Sequence, residues 1–407
     1  MLISGQLLLE DATASPAGRC RIAPGTLRVR DDRIEEVIEG ELAAAADWGG
    51  PDCLIVPGLI DTHLHLPQFD IIGAHGLPLL QWLDQVTFPA ELSWADTDHA
   101  RAAASRAFDQ CLRHGTTGIC AYATVHHEAT AAALRLASDR GLRGVIGQVL
   151  MDREAPSGLC RSADRSIAES ADLLSRFPPG SRIAAAVTPR FAPTCSDELL
   201  ARAGRLAAET GAVVQTHLAE TVAECERVSV LFGGRDYAQV YADAGLLGPR
   251  TVCAHGIHLD PGSRRRLAAS GTRIAHCPVA NSFLRSGTML RHELLDAGVA
   301  VTLGSDIGAG YERSMVRVGR AMIEAAAGLG GPVPAAATAW HAITAGNATA
   351  IGWDDAGRLA AGAMADLLII RPDIDWLGLP IDPLARLMFA WDDRWIIRRF
   401  LRGQTIN

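Results

Sequence analysis

Hydrophobic and polar positions along this chain follow two different rhythms. From residue 58 to about 306, short apolar runs alternate with longer Ala-, Leu- and Arg-rich stretches of helical character. Short apolar strands separated by helices are the pattern of a parallel sheet with helical crossovers. Eight strands are predicted in this way, at 58–65 (GLIDTHLH), 116–122 (TTGICAY), 143–152 (RGVIGQVLMD), 182–191 (RIAAAVTPRF), 212–220 (AVVQTHLAE), 251–259 (TVCAHGIHL), 272–280 (TRIAHCPVA) and 299–306 (VAVTLGSD). Eight such strand–helix units close an α/β architecture, a (β/α)8 TIM-like barrel, in which chemistry sits at the C-terminal ends of the strands. The chain ends read differently. Residues 2–9 and 26–37 are strand-like, with turn residues between them and an Ala-rich acidic connection behind, and 365–371 and 395–402 are β-favouring runs bounded by Gly and Pro. The expectation is a small β-sandwich domain formed by both chain ends, residues 1–57 and 358–407, with residues 58–357 as a metal-dependent barrel domain.

Composition narrows the chemistry. At 407 residues, 48% hydrophobic and 21% charged, the chain has ample material for one large domain with a smaller appendage and is far from the disordered class. The net charge is −8, and the 38 basic residues are dispersed, so a nucleic-acid backbone is not the expected partner. All 38 of them are Arg. Without Lys there is no Schiff-base chemistry, no phosphate-loop lysine and no metal pair bridged by a modified lysine. The nine cysteines form no CxxC pair, which argues against a disulfide framework or a cysteine zinc cluster and for a reducing cytoplasm. Glu10 and Asp11 directly follow the N-terminal apolar stretch, and no run reaches the roughly 18 apolar residues of a membrane span. A soluble, unexported protein with no membrane partner is expected.

The polar residues at the strand ends carry the candidate site. His63 and His65 close the first predicted strand two positions apart, which sends both imidazoles to one face. Alone, an HxH is as well read as a pair of partly buried histidines satisfied by backbone. It is not alone: His217, His255 and Asp306 end the fifth, sixth and eighth strands on the same rim. Three histidines and one carboxylate hold one divalent ion, zinc or iron, and leave room for a water. Glu220, three residues after His217, is placed to shuttle protons; the plain alternative is a solvated glutamate opening the next helix. Arg190 and Phe191 follow Pro189 at the end of the fourth strand. There Arg could donate paired hydrogen bonds while Phe stacks on a flat ring, the alternative being a surface Arg beside a core Phe. The other histidines, at 75, 99, 114, 126, 127, 258, 276, 292 and 341, are read as structural or solvated. His126, His127 and Glu128 match half of a zinc-deaminase signature whose PCxxC half is missing, and no serine sits in a GxSxG elbow.

Several stretches, VPGLIDTHLHLPQ (56–68), TPRFAPTC (188–195), QTHLAET (215–221), AHG (254–256), AHCPVANSFLRSG (275–287) and LGSDIGAG (303–310), resemble the amidohydrolase superfamily. The PQ after HxH, LLQWLDQVTFPAE (79–91), TPRF and DDR (392–394) are similar to its guanine-deaminating members, and the likeness runs from about residue 1 to 403. That resemblance implies a single zinc ion per chain, iron being the alternative, with His63, His65, His217 and Asp306 as ligands. It implies Glu220 and His255 beside the activated water, Asp306 taking its proton as well as ligating, and Gln68, Arg190 and Phe191 on the substrate, with His217 and Glu220 also in reach of it. The implied reaction is hydrolysis of guanine to xanthine and ammonia, in a homodimer. The side chains of 311–314 do not match the pattern, which leaves the far wall of the pocket open. Rival readings are a deaminase of a pterin, a modified guanine or a related heterocycle, a cyclic-imide amidase, and a non-catalytic scaffold of the same fold.

Overall fold

In the computed structural model, residues 1–11, 13 and 19–406 are described. The turn-rich stretch expected between the first two strand-like runs falls partly outside them. Among the described residues the chain divides into two compact units, Met1–Asp61 with Gln110–Gly118 and Arg313–Asn407, and Thr62–Asp109 with Ile119–Glu312.

The chain opens with β1 (Leu2–Glu10), β2 (Cys20–Arg30), β3 (Arg33–Glu39) and β4 (Trp48–Pro57). The expected run 26–37 is therefore a tight hairpin, not one strand: Arg30 pairs with Arg33, and Asp31 turns the chain with a φ of 52°. β4 contains two glycines and two prolines, a composition that hides a strand. Next come the barrel strands β5 (Leu59–His65), β6 (Thr116–Tyr122), β7 (Arg143–Leu150), β8 (Ile183–Pro189), β9 (Val214–Leu218), β10 (Thr251–His255), β11 (Arg273–His276) and β12 (Ala300–Leu303). The chain ends on β13 (Leu367–Ile370), β14 (Ile396–Leu401) and β15 (Gln404–Ile406).

Among the described residues seven strands from both chain ends form one mixed sheet, in the order β15-β14-β13-β4-β1-β2-β3. Its inward faces share a core: Ile3, Leu7, Leu27, Ile55, Leu367, Ile369 and Phe400 pack together, which is why neither end can bury its apolar face without the other. The other eight strands follow one another in sequence order, and every pairing described between them is parallel. β5, β6, β8, β9 and β10 are buried along their whole length, as strands covered on both faces must be, and this makes them readable as short apolar-rich runs. The seam between the first and last of them is bridged where Asp306 N–H donates to the His63 carbonyl at 2.8 Å, His65 N–H to that of Ile307 at 2.9 Å, and the Thr62 hydroxyl to that of Leu303 at 2.9 Å. The chain is thus an α/β barrel with a sheet built from its two ends. The predicted strand 272–280 ends early, because Pro278 starts a helix, Pro278–Phe283.

Candidate active site

The strand ends do more than stop. Ala219, His255 and Asp306, just past or at the ends of β9, β10 and β12, have φ values of 48°, 70° and 53°, left-handed backbone that non-glycine residues adopt at a cost of about 1–3 kcal/mol each. Such positions persist only where the surroundings over-determine them, and these turn three chain segments toward one point. After Ala219, Glu220 is fixed by the cap of the next helix. Thr221 accepts from Glu224 N–H, while Glu224 Oε2 accepts from Glu220 N–H at 2.9 Å and Thr221 N–H at 3.2 Å. Tyr237 donates to the other Glu224 oxygen at 2.6 Å.

Five of the expected residues converge as a buried cluster. His63, His217, His255 and Asp306 each bring one donor atom within 4.8 Å of the others. His65 joins them, its Nε2 lying 3.1 Å from His217 Nε2 and 3.4 Å from Asp306 Oδ1. His63 Nε2 is 3.1 Å from Asp306 Oδ1, and His255 Nε2 is 3.8 Å from Oδ2. Burial pushes His63, His65 and His217 well below the usual imidazole range, so they present neutral nitrogens. His217 donates from Nδ1 to the Arg190 carbonyl at 2.7 Å, which turns the Nε2 lone pair to the cluster. Ligand atoms around an ion bound at about 2.0–2.2 Å stand roughly 3–4 Å apart, and this donor set matches that at its His63–Asp306, His65–Asp306 and His65–His217 contacts, 3.1, 3.4 and 3.1 Å. It fits a divalent metal.

Beside the cluster stand the groups expected to move protons. His255 Nε2 is 3.4 Å from Glu220 Oε2, its Nδ1 donates to Asn281 Oδ1 at 2.9 Å, and Ser286 donates to Glu220 Oε1 at 2.7 Å. Burial alone would lower His255, but the Glu220 and Asp306 carboxylates outweigh it and raise the imidazole above its ordinary value. Burial pushes the Glu220 carboxyl up to about 7 against the pull of His255.

These groups open into a pocket that Gln68, Arg190 and Phe191 also line, with Leu79, Trp82, Leu83, Leu284 and Ala309 as its apolar wall. A mostly apolar wall with a few convergent polar groups is the make-up of a small-molecule pocket. A model of the amidohydrolase family matches residues 54–406. The chain belongs to the amidohydrolase family. This amidohydrolase is 35% identical over 394 residues to the guanine deaminase of Escherichia coli (strain K12), covering 94% of this chain and 85% of that one. An E. coli guanine deaminase structure superposes with a TM-score of 0.93 at 32% identity, over 100% of this chain and 99% of that one. A guanine deaminase from C. acetobutylicum with guanine bound in its active site gives 0.92 at 27% identity, with the same coverage.

All nine expected site residues lie in the cluster or the cavity wall of this amidohydrolase, while the expected structural histidines stay out of the cluster. His276 is buried and held down at about 3 by that burial, and His127 bonds Gln148 and Asp172. Several neighbours were not expected, Glu224 of the helix cap and its partner Tyr237 among them. Asn281 and Ser286 orient His255 and Glu220. Tyr122 lays its ring 4.6–4.9 Å from those of His63, His65 and His217. Glu91 pairs with Arg190 at 2.5 Å. Asn281, Ser286 and Glu91 all sit inside stretches that carry the resemblance, which was the available signal. In the open stretch 311–314, Tyr311 is exposed and packs its ring against Phe283.

Proposed function

We propose that this amidohydrolase is a zinc-dependent deaminase of guanine, releasing xanthine and ammonia, with one metal ion per chain. The observation that carries the reading is the cluster of neutral imidazoles and a carboxylate at the floor of a cavity whose polar wall is Arg190 and Gln68. Its kinship with guanine deaminases over nearly the whole chain supports it. In this reading His63, His65, His217 and Asp306 hold the ion. The metal, when bound, supplies Lewis-acid activation of water, whose pKa it lowers toward 7. Arg190 donates to the oxygen and nitrogen acceptors of the purine, Phe191 stacks on it, and Gln68 meets the remaining polar edge. Water adds to the ring carbon that bears the amino group. Asp306 takes the water proton, and Glu220 gives a proton to the adjacent ring nitrogen, then takes the added hydroxyl's proton and passes it to the amine, so that the C–N bond breaks, ammonia leaves and the ring carbon becomes a carbonyl. His255 orients the attacking water.

We place the enzyme in the cytoplasm as a homodimer; its nine free cysteines support the first, and the second rests on the resemblance. Among the described residues no helix is long and apolar enough to cross a membrane. The test is metal analysis paired with ammonia release from a panel of guanine, adenine, modified guanines and pterins. About one ion per chain with guanine preferred supports the reading, and a pterin or modified guanine preferred over guanine replaces it.

A further inference from the structure

The recognition wall is wired by a residue to which the proposed mechanism gives no role. Glu91 stands at 0% exposure on the short helix Phe88–Leu92, and Arg190 is 2% exposed. One oxygen of Glu91, Oε1, accepts from Arg190 Nη1 at 2.5 Å and from Gln68 Nε2 at 3.4 Å. Gln68 Oε1 accepts the Gly308 N–H at 3.0 Å. The guanidinium also faces the Phe88 ring, 5.6 Å from its centroid.

Two physical consequences follow. A carboxylate this deeply buried is tolerated only against a cation, so Glu91 and Arg190 hold one another in place, and the planar fork is fixed in direction by the edge that Glu91 occupies. Gln68, taken alone, could offer the cavity either its oxygen or its amide nitrogen. Here the oxygen accepts the Gly308 N–H and the nitrogen is drawn toward Glu91, which fixes the amide's orientation and leaves its second N–H for a ligand. Both groups become donors, and because they share one carboxylate oxygen they are held relative to each other.

We propose that Glu91 is the positioning residue of this wall: it aligns Arg190 and Gln68 as a paired donor surface that reads the carbonyl and ring-nitrogen acceptors of an oxopurine. The proposal rests on the guanine reading above. It predicts that Glu91 acts through Arg190, not through general stability, and a double-mutant cycle separates the two. The experiment measures kcat and KM for guanine, with metal content, in the wild type, Glu91→Gln, Glu91→Asp, Arg190→Ala and the Glu91→Gln/Arg190→Ala double variant. Glu91→Gln, nearly isosteric, should keep its metal and lose about 10²-fold in kcat/KM, the scale of a misplaced recognition group. Glu91→Asp, which keeps the charge, should recover part of that loss. In the Arg190→Ala background the same Glu91→Gln change should cost less than about threefold. Equal losses in both backgrounds, or wild-type kinetics in Glu91→Gln, overturn the positioning role while leaving the guanine reading intact. A metal-replete wild type that releases no ammonia from guanine overturns the guanine reading itself, and the role of Glu91 with it.

Discussion

His255 and Glu220 face each other at 3.4 Å, each held by its own polar neighbour, Asn281 or Ser286, and the proposed mechanism gives them different tasks, orienting water and transferring protons. Glu220→Gln keeps size and polarity but has no proton to transfer, so turnover should drop by roughly 10²-fold or more while metal analysis finds the ion retained. Near-normal turnover would move the proton transfer to another group. The five-residue cluster also makes a sharper demand. If His65 is a ligand and His255 serves the water, His65→Ala should lose the metal and His255→Ala should keep most of it, as read by metal content after gel filtration. The reverse result would exchange the two roles. At this scale the sequence was informative where chemistry-bearing residues end apolar strands, as His217 and Asp306 do. It placed Glu91, Ser286 and Asn281 in stretches of resemblance but not with their partners, because each meets its partner 99, 66 and 26 residues away, and only the fold sets such meetings.

The strands that carry these residues are aligned by close backbone approaches. A Cβ added at Gly304 would stand 2.6 Å from His63 Cβ and 3.0 Å from its backbone nitrogen, so the glycine after β12 is what lets Asp306 reach the His63 carbonyl. Gly304→Ala should therefore destabilise the fold by about 1–3 kcal/mol and weaken metal retention together, measurable by denaturant unfolding with and without the ion. Unchanged stability and metal affinity would show that the seam has slack. Barrel strands were legible in the sequence as short apolar-rich runs between helical stretches, even where they carry polar residues, as β5 and β9 do. β4 was not, since two glycines and two prolines mask it, and the hairpin of β2 and β3 reads as one run because Asp31 and Asp32 look like polar positions of a single strand.

For the whole molecule, the metal is the variable that couples fold to function. An ion bound only by the folded chain stabilises it by mass action, so removing it with a chelator should abolish turnover and lower the Tm, with both restored by zinc. The purified protein should carry about one ion per chain; two tightly held ions would contradict a site with one carboxylate bridgehead and no lysine. Charge and composition set the class of partner at this scale, and the small-molecule cavity agrees with the absence of any basic tract.

In the proposed function, the paired N–H donors of Arg190 and Gln68 over the metal cluster select guanine. The measurement that tests it most directly is kcat/KM for ammonia release from guanine and from adenine, on one preparation of known metal content. Adenine places a donating amino group where guanine has O6, leaving buried donors of Arg190 and Gln68 unpaired, and mismatches of that kind can be worth about 10⁴ in kcat/KM. The account predicts guanine turnover to xanthine with adenine slower by about that factor; adenine deaminated as well as guanine would contradict it.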